Sequence, residues 1–290
     1  MARARDSVTR ASDPDFASEA FATALRRVIR PLDLLAVLSV PALLVAVSAL
    51  PPDRAAAFAF AYADPTPLTA VTANFVHAGP AHLAWNLASY TLAAGTVYGL
   101  AALADRRGLF YTAFGAILLA FPLVLSVSNL AVPREGVFVG ASGLAMAFVG
   151  VLPVAFGGYL RQRFGVAAAS EVAGLLFLVG LTLTALFALP DGGDLLAAVA
   201  ALGALGYAVS LSRNGLAPGT FAAPPAGFLE FGLWSVGLFV ALLVAAFPAD
   251  PAADGAIVNT YVHFLGYALG FLSSYLTVLV AAAEGEGRGI

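Results

Sequence analysis

The sequence predicts an all-α fold, a polytopic membrane bundle of about eight transmembrane helices, and three observations carry that prediction. Of 290 residues, 61% are hydrophobic and 11% charged, with a mean hydropathy of +0.91, more apolar surface than a soluble domain of this size could cover with polar groups. The apolar residues gather into eight runs, each near the roughly 20 residues a helix needs to cross hydrocarbon. The basic residues, all fourteen of them arginine, then divide between alternate loops as a single membrane orientation demands.

Residues 1–31 come first and hold six arginines and four acids, too long and too mixed for the basic region of a signal peptide. They are expected to be retained as a cytoplasmic segment. Phe16, Phe21, Leu25, Val28 and Ile29 recur there at helical spacing opposite Arg26, Arg27 and Arg30. That pattern fits a helix lying on an anionic membrane face, or else a solvated tail. The transmembrane domain follows over 32–283, with spans placed at 33–50, 80–103, 109–130, 139–158, 171–189, 194–212, 228–247 and 257–282. Residues 284–290 form a cytoplasmic tail.

With the N-terminus inside, Arg3, Arg5, Arg10, Arg26, Arg27, Arg30, Arg106, Arg107, Arg161, Arg163, Arg213 and Arg288 all face the cytoplasm, and only Arg54 and Arg134 lie outside. That asymmetry sets the orientation of a multi-pass cell-membrane protein. The outer connection 51–79 carries Phe58, Phe60 and Tyr62, an aromatic cluster suited to the membrane interface. The inner connection 213–227, rich in glycine, alanine and proline, reads as an extended linker. No internal repeat and no soluble domain stand out.

The chain has no cysteine, which excludes disulfides, thiolate catalysis and cysteine-based metal sites. The net charge of −3 points to no particular partner. Chemistry is therefore sought among a few polar residues in apolar surroundings. Ser142 stands in Gly140-Ala-Ser-Gly143 at the head of an apolar run; its hydroxyl serves either close helix packing or nucleophilic attack. The three histidines are not scattered: His77 and His82 open one span and His263 opens the last.

In the assigned topology the helices carrying His82, Ser142 and His263 all run inward, so the three residues share the outer half of the bilayer. At 1.5 Å per residue, His263 lies roughly 9 Å below the outer edge and Ser142 somewhat shallower. Gly266 and Gly270 follow His263 in Gly-x-x-x-Gly spacing, a smooth face for close packing against the helix of Ser142, Gly143 and Gly150. Neutral histidine is the usual base for a serine hydroxyl. His82 and Asn86, at i and i+4, project from one helical face and supply polar groups for a developing oxyanion.

His77-x4-His82-Leu-x-x-Asn86, Gly140-Ala-Ser142-Gly143 and Val262-His263-x-x-Gly266-x-x-x-Gly270 together resemble the signature of rhomboid intramembrane serine proteases. The resemblance covers roughly 68–158 and 257–275. It implies a rhomboid-like core with Ser142 as nucleophile and His263 as general base. His82, Asn86 and the Ser142 backbone amide would form the oxyanion site, with His77, Gly140 and Gly143 in secondary roles. It further implies transmembrane proteins as substrates, cleaved within the lipid bilayer near their outer ends, with no cofactor, no metal and no nucleic acid. The chain departs from the family in two places. Three spans rather than one separate the serine and histidine helices, and these are expected at the periphery of the bundle. Met146 stands where the family often has an aromatic packed on the histidine. Two other readings are a catalytically silent rhomboid-like protein that binds membrane helices, and a small-molecule transporter; the latter would carry charge-lined broken helices near the midplane, which these spans lack.

Overall fold

The computed structural model describes residues 20–188, 193–214, 226–248 and 258–287. The described chain is helical apart from one pair of two-residue strands. In order, the elements are α1 (Phe21–Val28), α2 (Pro31–Ser48), α3 (Pro52–Ala56), β1 (Phe60–Ala61), α4 (Pro67–Thr72), a 3-10 turn (Ala73–Phe75) and α5 (Pro80–Leu103). Then come α6 (Arg107–Leu119), α7 (Phe121–Ser128), a second 3-10 turn (Asn129–Ala131), β2 (Val137–Phe138), α8 (Ser142–Phe164), α9 (Ala169–Ala188), α10 (Gly193–Asn214), α11 (Phe228–Ala246) and α12 (Thr260–Gly287).

Six of these helices, α2, α8, α9, α10, α11 and α12, are long and apolar enough to cross a membrane, and α6 with α7, bent by 48° between them, would make a seventh. All eight apolar runs are thus helical, but α5 is not among the six. Its 24 residues include Asn86, Ser89, Tyr90, Thr96 and Tyr98, all buried inside the protein. A helix packed against other helices does not need the uniformly apolar surface that lipid requires.

The organising element is α8. Of its apolar window 94% is buried, against 17% for α10. Glycines on both sides of its contact with α12 let it pack this deeply. A methyl group at Gly266 of α12 would overlap the carbonyl oxygen of Gly143, one at Gly270 that of Ala147, and one at Gly150 that of Tyr267. The two helices therefore touch backbone to backbone, the close approach that small-xxx-small spacing permits. Tyrosine hydroxyls tie the neighbours in: Tyr90 donates to the Val37 carbonyl at 3.0 Å, Tyr159 to Phe228 at 2.7 Å and Tyr267 to Phe177 at 2.8 Å.

One expectation is corrected by the fold. The apolar face of the N-terminal helix does not lie on lipid. In α1, Ala24 is fully buried, Leu25, Val28 and Ile29 pack on the core, and Phe21 meets Phe228 edge-on at 5.3 Å. Phe16 lies outside the described residues. In the 51–79 connection Phe60 turns inward, while Phe58 and Tyr62 stay half-exposed. β1 pairs antiparallel with β2, Phe60 opposite Phe138, and Phe60 is 1% exposed. Most of the 213–227 linker and of the 248–256 connection lies outside the described residues.

Candidate active site

The site is built where three short segments converge on the N-terminus of α8. The strand pair holds 137–138, the Gly140 N–H donates to the Ala73 carbonyl at 2.9 Å, and the chain then turns into α8 with Ser142 as its first helical residue. The turn depends on Gly140, whose φ of 121° suits only glycine. A Cβ there would also lie 2.6 Å from His82 Cε1 and Nε2 and 3.5 Å from Asn86 Nδ2. Gly140 thus leaves the space into which the His82 and Asn86 side chains reach. The first N–H groups of α8, that of Ser142 among them, have no acceptor within the helix, and the helix dipole adds partial positive charge at this end.

His263 sits in the first turn of α12 and is 4% exposed. Its Nδ1 lies 2.8 Å from the Ala246 carbonyl oxygen at the end of α11. A carbonyl only accepts, so Nδ1 carries the proton and the neutral ring keeps a lone pair on Nε2. Phe247 packs edge-on against the ring at 6.0 Å and 83°. Ser142 and His263 line one small cavity together with Trp85, Ser89, Ala145, Met146, Leu242 and Ala246. No hydrogen bond joins the hydroxyl to the imidazole among the described residues.

On the other side, His82 Nδ1 accepts from the Ala78 N–H at 3.5 Å, so the neutral ring presents Nε2–H toward Gly140. His77 stacks edge-on against it, ring centroids 5.2 Å apart. Burial, with a smaller contribution from His82, pushes the His77 pKa down to about 4, so His77 is neutral at physiological pH. Asn86 is fully buried, and neither atom of its carboxamide has a hydrogen-bond partner. Leaving such a group unpaired costs on the order of 1–3 kcal/mol.

The fold therefore brings together every residue singled out from the sequence: Ser142, His263, His82, Asn86, His77, Gly140 and Gly143, the last in contact with Val262 beside His263. It also adds residues that were missed. Of the three intervening helices, α9 and α10 lie away from the cavity, but α11 does not stay at the periphery, because Leu242 and Ala246 wall the cavity and the Ala246 carbonyl orients His263. Phe247 supplies the aromatic contact to His263, and Met146 lines the cavity beside it. Trp85 and Ser89 were within reach of the sequence, since they share the His82 face of α5 at helical spacing. A backbone carbonyl such as that of Ala246 leaves no trace in residue identities.

Comparison with known proteins returns no match, whether to a family model, a curated protein or a solved structure.

Proposed function

We propose that this protein is an intramembrane serine protease of the rhomboid type, using Ser142 and His263 as a dyad to hydrolyse peptide bonds in transmembrane proteins. The observation that carries this reading is the cavity shared by Ser142 and His263, with the unpartnered carboxamide of Asn86 reaching toward Gly140 two residues before the serine. In this scheme His263 Nε2 takes the serine proton as Oγ attacks the substrate carbonyl carbon. The same nitrogen then returns the proton to the leaving amine. Catalytic hydrogen bonds are often loose without substrate and tighten on binding. Asn86 Nδ2, His82 Nε2–H and the free N–H groups at the start of α8 would donate to the tetrahedral oxyanion. The unpaired Asn86 amide fits that role: donors aimed at charge that exists only in the transition state have no partner in the resting enzyme.

In this reading all eight helical runs, α5 included, cross the membrane, the N-terminus is cytoplasmic, and the cavity opens toward the outer face of the cell membrane. Labelling of the purified protein with a serine-directed fluorophosphonate tests it. Ser142 is expected to react and the Ser142→Ala variant not to; equal labelling of both refutes the assignment. A catalytically silent helix-binding protein would leave both unlabelled.

A further inference from the structure

Two arginines, Arg161 on α8 and Arg106 beside it, meet at the far end of α8 with no acidic partner among the described residues. Arg106, half-buried in the turn between α5 and α6, lays its side chain across α8 at Gly158. A Cβ on Gly158 would lie 3.3 Å from Arg106 Cδ and 3.6 Å from Nη1. Arg161, exposed, follows three residues later and so occupies the same face of α8. The neighbouring arginines are engaged. Arg107 pairs with Asp33 at 3.4 Å, and Arg163 donates from Nε to the Leu103 carbonyl at 3.0 Å with its guanidinium over Phe228. The guanidinium groups of Arg106 and Arg161 donate to no described residue. Burial lowers the Arg106 pKa, and the nearby charge of Arg161 lowers it further. A partly desolvated cation facing a second cation and no anion is costly unless an anion arrives from outside.

We propose that Arg106 and Arg161 form a phosphate-binding site for the headgroup of an anionic phospholipid. Two planar guanidinium forks match phosphate oxygens in bidentate fashion. The lipid source follows from position: α5 ends at Leu103 and α8 at Phe164, so the pair lies where the apolar helices give out, at the depth of lipid headgroups. The leaflet's negative surface potential favours arginine there. Gly158 keeps the guanidinium close to α8, since a side chain at that position would crowd it. This site does not need the protease reading, but it rests on the proposed membrane orientation, in which this end faces the cytoplasm.

The test is thermal unfolding of the full chain in neutral detergent with added phosphatidylglycerol, phosphatidylcholine or inorganic phosphate. Ligand that binds only the folded state raises the midpoint. Phosphatidylglycerol is expected to raise it by several degrees beyond phosphatidylcholine, and the Arg106→Gln/Arg161→Gln double variant to lose that increment. Full retention of the increment by the double variant overturns the proposal. The same increment from inorganic phosphate overturns the lipid source. Should the double variant not fold, the exposed Arg161→Gln single variant is compared with wild type by native mass spectrometry. It is expected to retain less phosphatidylglycerol, and equal retention overturns the site.

Discussion

In the proposed mechanism Asn86 is an oxyanion donor, and its carboxamide is buried and makes no hydrogen bond in the resting protein. Asn86→Leu removes an unpaired polar group at similar volume, so its thermal midpoint should be no lower than that of wild type. Cleavage of a model transmembrane substrate should nevertheless fall by roughly 10²–10³ in turnover with binding retained, the usual scale for losing one oxyanion donor. A variant as active as wild type would remove Asn86 from the mechanism. Ser142→Ala should abolish cleavage and His263→Ala nearly so, because an unactivated hydroxyl is a poor nucleophile. His77→Ala should cost least, since His77 reaches the site only through its stacking on His82. Gly140→Ala should lower both the midpoint and activity, because the new methyl meets the His82 ring at 2.6 Å and the backbone keeps a φ of 121°. An unchanged midpoint would mean that the turn is not fixed as described.

At the scale of elements, the seam between α8 and α12 sets the distance between hydroxyl and imidazole. Gly266→Leu would have to push the backbones apart where the Gly143 carbonyl now sits. It should destabilise the fold by several kcal/mol, as overpacking does in a close-packed core, and separate Ser142 from His263. Chemical unfolding in detergent measures the first effect and fluorophosphonate labelling the second; an undiminished labelling rate would mean that the seam does not position the dyad. The upper end of α12 is fixed separately. Asn259 caps it by accepting from the Val262 N–H at 3.2 Å, and its Nδ2 donates to Asn129 Oδ1 at 2.8 Å. Asn259→Asp keeps the capping oxygen but sets a second acceptor against Asn129 Oδ1, so it should lower the thermal midpoint in detergent; an unchanged midpoint would mean that the Asn259–Asn129 bond does not hold this end. These elements differ in how far the sequence disclosed them. The Gly266/Gly270 spacing announces a close helix contact; the Asn259 cap goes unread, the last span being placed from 257 rather than from Thr260. The grip of Ala246 on His263 and the pairing of Phe60 with Phe138 were not legible, because each depends on backbone groups meeting across more than a dozen residues.

For the whole molecule, composition and run length were enough to establish a multi-pass helical bundle, since hydrocarbon admits few other backbones. They were not enough to rank the helices. α8, with four glycines among Ser142–Phe164, is the most buried, while α10, with three glycines of its own, is the most exposed among the six apolar spans. Their hydropathies are nearly equal, 1.8 and 1.9, so apolarity alone misjudges depth in the bundle. The arginine distribution makes one claim on the whole chain that geometry leaves for experiment: the end of the bundle bearing Arg106, Arg161 and Arg213 faces the cytoplasm, and the Ser142 end faces outward. The absence of native cysteine makes this simple to measure with single introduced thiols at exposed positions. Ala57, beside α3, and Ser212, in the last turn of α10, are both exposed and lie at the two predicted sides. Ala57→Cys should react with an impermeant maleimide in intact cells, and Ser212→Cys only after the membrane is opened. The reverse pattern would invert the chain and carry the cavity, the dyad and any substrate cut to the inner leaflet.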